Sequence, residues 1–369
     1  MRQRSCHALL SISQKGSDDR RSAPDRPAPS ATGCGRLDSS ASALVAILTD
    51  RDIVLGTRGS TLALAQSGMV KADLEAMGLS VRMEVICTTG DSDQHSALSR
   101  IGGKGLFTRE LDLALIEGRI DLAVHSLKDL PTELEHGLSL AVVPKREDPR
   151  DVLVGPEGAL AEVTLRTLPP GARVGTGSLR RQALASAFRP DVKVVNIRGN
   201  LDTRIAKVDR GEFDVIIVAA AGIRRLGLWS RVTEPLERTS WLPAPGQGAL
   251  GLITRSGDAK MEAILKPLDH PPSHIAVRAE RALLAALGGG CHTPIAALGL
   301  PHGSGLRLWG MVASPDGKRV VLADGSGGIA DPEMLGGCVG RILVERGASE
   351  VLQGVPDATS PRSPVSPSR

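Results

Sequence analysis

From residue 52 onward, short apolar runs alternate with longer segments whose apolar positions recur at helical spacing. Residues 53–56 predict a strand and 61–77 an amphipathic helix, with Leu62, Ala65, Met69 and Leu74 near one face and Ser60 as N-cap. Residues 81–87 alternate like a strand, 88–105 form a long polar, Gly-rich loop, and 106–117 are helical. Strands follow at 122–124 and 138–143. The pattern restarts after the charged, Pro-containing stretch 145–150, which reads as a hinge. It gives strands at 151–154, 173–175, 192–197 and 214–219, with helices over 179–188 and 201–210. Proline and glycine break the pattern over 241–248, and the strand at 249–254 is expected to return to the first domain. Residues 273–287 predict a helix with Pro271 and Pro272 ahead of a Ser273 cap and Gly288 as its stop. Short strands separated by Gly- and Asp-rich turns follow from 294, with a last helix over 332–346.

Alternating strands and helices argue for mainly parallel sheets covered on both faces. The expected fold is α/β: two doubly wound domains, residues 52–145 plus 243–257 and residues 150–241, and a smaller α+β domain over 268–354. The two α/β units are of similar build, with no sequence repeat evident between them. Residues 1–51 and 355–369, rich in Ser, Pro and Arg or Gly, are expected to be disordered. Asp18, Asp19, Asp25 and Asp38 in the leader disfavour a transit peptide, and a mis-assigned start or a dispensable extension is the expected explanation.

Composition mainly removes possibilities. A net charge of +4, no Tyr and 2% aromatic residues give little on which nucleic-acid bases could stack. No apolar run approaches the roughly 18 residues of a membrane span. Five scattered cysteines without a C-x-x-C pair suit a reducing compartment and imply neither a disulfide framework nor a zinc site.

Candidate chemistry collects at strand-to-helix junctions. The apolar run 122–124 switches abruptly to His125, Ser126, Lys128 and Asp129, a carboxylate beside a lysine just past a strand, where open α/β sheets bind ligands. Three further junctions, at 57–60, 175–181 and 198–204, combine Gly-rich turns or helix N-termini with arginine. Arg180 and Arg181 fall in the first turn of their helix, where a cation opposes the helix dipole unless an anion offsets it. Together these clusters suggest a cleft for a polycarboxylate or phosphate. Other motifs fail. Gly246-Gln-Gly-Ala-Leu-Gly251 lacks the strand–turn–helix context of a dinucleotide site, and Lys104 lacks the Ser or Thr of a P-loop. His270 and His274 are separated by two prolines, read as excluding a helical metal face. Cys291 ends three glycines, which would leave its sulfur approachable.

Taken together, the chain resembles the porphobilinogen deaminase family over roughly residues 52–352. The resemblance rests on Gly56-Thr-Arg-Gly-Ser60, Gly102-Gly-Lys-Gly-Leu-Phe107, His125-Ser-Leu-Lys-Asp-Leu-Pro131 and Arg146-Glu-Asp-Pro-Arg-Asp151. It continues through Gly175-Thr-Gly-Ser-Leu-Arg-Arg-Gln182, Ile197-Arg-Gly-Asn200, Ala244-Pro-Gly-Gln-Gly-Ala249 and Gly289-Gly-Cys291. It implies two periplasmic-binding-protein-like domains plus the third, with the active cleft between the first two. It implies head-to-tail joining of four porphobilinogen molecules, each losing ammonia, on a dipyrromethane primer held by a thioether to Cys291. The family's roles then fall on Asp129 as the catalytic residue. Cys291, Lys128, Asp129, Ser126, Thr176, Ser178, Arg180, Arg181 and Arg204 would bind cofactor, and Arg58, Arg198, Lys104, Ser60 and Phe107 substrate. A cytoplasmic monomer without metal, nucleic-acid or membrane partners is implied, plastid import of the leader being the alternative. Gly177 stands where the family often has Ser, and Thr89 where some members have Arg. The competing readings are a non-catalytic two-lobed polyanion binder and a transferase using Cys291 as a turnover nucleophile.

Overall fold

The computed structural model describes residues 52–88, 108–159, 162–290 and 293–354. The expectations for the leader, the tail and most of the 88–105 loop lie outside these residues.

Strands β1 (Ile53–Thr57), β2 (Val81–Val85), β3 (Leu122–Ser126) and β4 (Leu138–Val142) belong to the first sheet. Strands β5 (Asp151–Val154), β6 (Arg173–Gly175), β7 (Lys193–Val195), β8 (Val215–Ala219) and β9 (Val232–Pro235) form the second, and β10 (Leu250–Arg255) returns to the first. The two orders are β2-β1-β3-β10-β4 and β7-β6-β8-β5-β9, the same arrangement used twice. In each sheet β10 or β5 runs against its neighbours while the remaining pairs are parallel. The reversal has a simple cause: each of these strands arrives from the other lobe, so it enters at the carboxyl ends of the strands already there. The return of β10 to the first sheet is as the sequence predicts, and strand β9 is an addition to it.

Equivalent positions in the two sheets also uncover a short repeat. Gly56-Thr-Arg-Gly-Ser60 follows β1 and Gly175-Thr-Gly-Ser178 follows β6, each ending in a serine that caps the next helix. Those helices are α1 (Thr61–Ala76) and α3 (Leu179–Phe188), with α2 (Arg109–Ile116) between them. A Cβ on Gly56 would meet Ile120, and one on Gly175 would approach Phe213 and Ile216, so the side chains packed against these two strand ends leave room only for glycine. The repeat escapes a linear reading because it spans only four matching residues, with one insertion.

The buried face of α1 is displaced from the predicted one. It consists of Gln66, Ser67, Val70 and Leu74, while Met69 is 49% exposed. Gln66 and Ser67 go inside because both are satisfied there: Gln66 Nε2 donates to Ser126 Oγ (2.8 Å) and Ser67 Oγ to Thr57 Oγ1 (2.8 Å).

Helices α4 (Leu201–Asp209) and α5 (Ala220–Arg225) complete the second lobe, and α6 (Ala259–Leu265) follows β10. Helix α7 (Pro271–Ala286) then leads to an antiparallel meander, β11 (Ile295–His302), β12 (Gly305–Ala313) and β13 (Val320–Gly327), followed by α8 (Pro332–Glu345) and α9 (Ala348–Gln353). One side of the meander packs with α7 and α8. From its other side Ala296, Leu298, Met311 and Ala313 share a core with Ala183, Leu184 and Trp241 of the second lobe.

The start of α7 corrects the predicted cap. Both prolines lie in the first turn, where a missing N–H costs nothing, and His270 is the N-cap through Nδ1, which accepts from Ser273 N (3.3 Å). The prolines between the two histidines therefore do not keep this stretch from being helical. His274 Nδ1 lies 2.8 Å from Asp269, and among the described residues no group of His, Cys, Asp or Glu is placed to hold a metal ion.

Candidate active site

Two chain crossings join the lobes and lie side by side: Glu147 N donates to Gly248 O (3.2 Å), and a Cβ on Gly248 (φ +88°) would collide with the Glu147 carbonyl oxygen. Because both crossings enter at the carboxyl ends of the parallel strands, the lobes face one another across those ends. Near the mouth, Thr61 Oγ1 donates to Asp202 Oδ2 (3.5 Å) and Leu62 lies against Gly222.

From the first lobe, β3 runs directly into a single 3-10 turn, Leu127–Asp129. Leu127 and Leu130 are buried and anchor the turn, leaving Lys128 half-buried and Asp129 exposed. Neither makes an ion pair among the described residues. Dense surroundings push the Lys128 ammonium below its ordinary value; Asp129 and Asp151 pull it back up, while Arg181 and Arg180 add to the depression. Its surroundings thus include charges from the second lobe. Ser126 accepts from Gln66, and Ser60 Oγ accepts from Ala63 N (3.3 Å) as the cap of α1. Arg58, half-buried at the end of β1, lies near His125.

His125 is a residue that charge patterning alone does not single out. Its ring is 6% exposed and Nε2 has no hydrogen-bond partner. Burial, with the Arg58 charge adding, lowers it to about 4, so it is neutral at physiological pH.

From the second lobe, Arg204 and Arg198 are half-buried at and before the start of α4. Arg204 Nε donates to Gly199 O (2.7 Å), and Arg198 makes no ion pair among the described residues. Burial first, then the Arg181 and Arg198 charges, lower Arg204 to about 10, with Asp129 opposing; it stays protonated at neutral pH. The Asp129 charge thus reaches Arg204 of the second lobe. Thr176 is buried and its Oγ1 accepts from Ser178 N (3.2 Å), while Ser178 Oγ caps α3 through Arg181 N (3.5 Å).

Arg180 and Arg181 have a partner the sequence reading did not supply. The anion that offsets them is Asp151, the first residue of β5, which is fully buried. Arg180 Nη2 lies 2.8 Å from Asp151 Oδ2, and Arg181 Nη2 lies 2.8 Å and Nε 3.0 Å from Oδ1. Trp241 Nε1 and Gln247 Nε2 also donate to this carboxylate, at 2.9 Å each. These cations hold Asp151 well below the usual carboxylate range against the burial that would raise it. The two arginines are themselves 2% and 6% exposed, so they form the floor of the cleft rather than its surface. Arg180 Nε, also buried, has no partner. Lys104, Phe107 and Cys291 lie outside the described residues, and α7 leads by way of Gly288 (φ +62°) toward Cys291.

The arrangement is that of a two-lobed α/β protein whose interlobe cleft is cationic and exposes the Asp129 carboxylate. Comparison with known proteins makes it specific. Residues 53–263 match the family model "Porphobilinogen deaminase, dipyromethane cofactor binding domain", and residues 274–345 match "Porphobilinogen deaminase, C-terminal domain". A porphobilinogen deaminase of Syntrophobacter fumaroxidans is 46% identical over 84% of this chain and 99% of its own length. One of Moorella thermoacetica is 49% identical over 82% and 96%. The chain belongs to the porphobilinogen deaminase family, and its main matched region is that family's dipyrromethane cofactor-binding domain. Among solved structures, an arginine-specific periplasmic binding protein of Salmonella typhimurium is 16% identical, with a TM-score of 0.35 over 61% of this chain and 96% of that one.

Proposed function

We propose that this chain condenses four porphobilinogen molecules head to tail, each losing ammonia, and that water then releases the product from the primer as hydroxymethylbilane for tetrapyrrole synthesis. The observation that carries this reading is Lys128 and Asp129, set on a turn at the end of β3 without an ion pair among the described residues, with the Asp129 charge reaching Arg204 of the other lobe. The cleft also suits a dipyrromethane, whose acetate and propionate groups are anionic. Arg198 and Lys128 have no carboxylate of their own among the described residues, and the buried Arg180 Nε has a proton to spare. The cofactor would be held by Lys128, Arg180, Arg181 and Arg204 with Ser126, Thr176 and Ser178, and covalently by Cys291. When bound, it would supply the free pyrrole α-carbon to which the first ring is joined, each later ring joining the one before it.

Arg58, Arg198 and Ser60 are proposed to bind the incoming substrate's carboxylates, together with Lys104 and Phe107. Asp129 acts on the substrate side: its carboxylate stabilises the cation left as ammonia departs and accepts the ring proton that must then leave. Lys128, held close by and lowered by burial, orients a carboxylate beside it. Cytoplasmic location and action as a monomer are part of the same proposal.

Intact-protein mass spectrometry tests it. The purified chain is expected to carry two pyrrole units, which Cys291→Ser loses. An active wild type of unmodified mass would overturn the primer assignment.

A further inference from the structure

Gln247 occupies the place where the two interlobe crossings meet, and it is completely buried. Its Nε2 protons are shared among Pro149 O (2.7 Å), Arg150 O (3.2 Å) and Asp151 Oδ1 (2.9 Å). Its Oε1 accepts from Arg181 Nη2 (3.3 Å). Its main-chain carbonyl accepts from Arg146 Nε (2.8 Å), and Arg146 forms a two-pronged ion pair with the fully buried Glu280 of α7 (2.6 and 3.1 Å). Glu280 in turn accepts from Gly246 N (2.6 Å) and Gly299 N (2.8 Å), which ties in the meander. One residue therefore touches both crossings and the arginine-bearing helix, and reaches the third sheet through two intermediaries, Arg146 and Glu280.

The chemistry of the head group matters. The site asks for donors toward two carbonyls and a carboxylate, and for an acceptor toward a guanidinium. Among side chains of this length only an amide offers both on one planar group. A carboxylate would satisfy Arg181 but repel Asp151, and an apolar side chain would satisfy neither.

We propose that Gln247 is a positioning residue that couples the Arg181 guanidinium, at the cleft floor, to the two-strand hinge, and so sets how that cation receives a ligand carboxylate. Asp151 and Gln247 share Arg181 between them, and a shift of the second crossing alters that sharing at once. Trp241, whose indole N–H lies on the same carboxylate, reports the state of the clamp. The inference rests on the reading that the cleft takes polycarboxylates.

The test uses the full chain with mellitate, a benzene hexacarboxylate, as probe, its affinity measured by calorimetry and its effect on Trp241 emission measured with Trp229 and Trp309 replaced by Phe. Circular dichroism checks the fold of each variant. Wild type should bind mellitate with a change in Trp241 emission. Gln247→Met should weaken binding about tenfold and abolish the emission change, and Gln247→Glu should weaken it at least as much. With porphobilinogen as substrate, KM should rise more than kcat falls. If the methionine variant does not fold, the isosteric glutamate variant decides alone. Wild-type affinity and an unchanged emission response in the folded variants would overturn the proposal. Arg181→Met separates the two levels: wild-type affinity in that variant would defeat the polycarboxylate reading, whereas weakened binding there with normal binding in the Gln247 variants would defeat only the coupling.

Discussion

The two lobes share one sheet topology and treat their carboxylates in opposite ways. In the first lobe Asp129 stands at the end of parallel strand β3, exposed and without an ion pair among the described residues. In the second, the corresponding strand β8 runs into Ala219–Gly222, which carries no chemistry, and the carboxylate is Asp151 on reversed strand β5, fully buried and bonded to two arginines, a tryptophan and a glutamine. A doubled scaffold thus supports a division of labour. One copy leaves its charge free to react, and the other consumes its charge to fix a rigid cationic floor.

The sharpest way to break that comparison is to make the same substitution in both lobes. Asp151→Asn strands two buried guanidiniums without a counter-charge and should cost about 3–5 kcal/mol of unfolding free energy. Asp129→Asn, at an exposed position, should stay within about 0.5 kcal/mol of wild type. Equal losses in chemical denaturation would show that the lobes are not differently wired.

Next in size is a pH effect confined to the first lobe. His125 titrates near 6.5 in the unfolded chain and at about 4 in the folded one, so as pH falls the unfolded state takes up the proton first. This contribution to stability is complete above pH 6.5 and is lost progressively down to pH 4, by about 3 kcal/mol. His125→Gln should flatten the stability profile over that window, and an unchanged slope would contradict the buried neutral assignment.

The smallest effect has the opposite sign. Burial lifts Asp112 to about 6, with Thr108 opposing and Glu135 and Glu110 adding. The folded state therefore holds this proton more tightly than the unfolded one, and the unfavourable charge is fully present above pH 6. Asp112→Asn should raise the unfolding free energy at pH 7–8 by at most about 1 kcal/mol once solvent screening is allowed for, and confer nothing at pH 4. A gain that persists at pH 4 would point to another cause.

Much of this was legible in the sequence because strand ends announce themselves. The apolar run into β3 stops at a Lys–Asp pair, and the returning strand β10 follows an unmistakable Pro/Gly break. What stayed hidden depends on contacts between distant segments. Asp151 opens an apolar strand, and its partners Arg181, Trp241 and Gln247 lie 30, 90 and 96 residues away. The offset anion for Arg180 and Arg181 was correctly demanded by the helix dipole, yet nothing local says that the protein supplies one itself. A second signal was present but misread: polar Gln66 and Ser67 interrupt the apolar spacing of α1, and they turn inward because the site gives them partners. The cap of α7 was misplaced for a related reason, since an imidazole accepts an N–H as well as a hydroxyl does.

Ammonia release from porphobilinogen by the purified chain, followed for wild type and Asp129→Asn at matched stability, bears most directly on the free carboxylate of the first lobe. The expected result is steady release by wild type and a loss of at least about a hundredfold in the variant, with the primer mass still present. A variant that keeps most of the wild-type rate would remove Asp129 from the reaction.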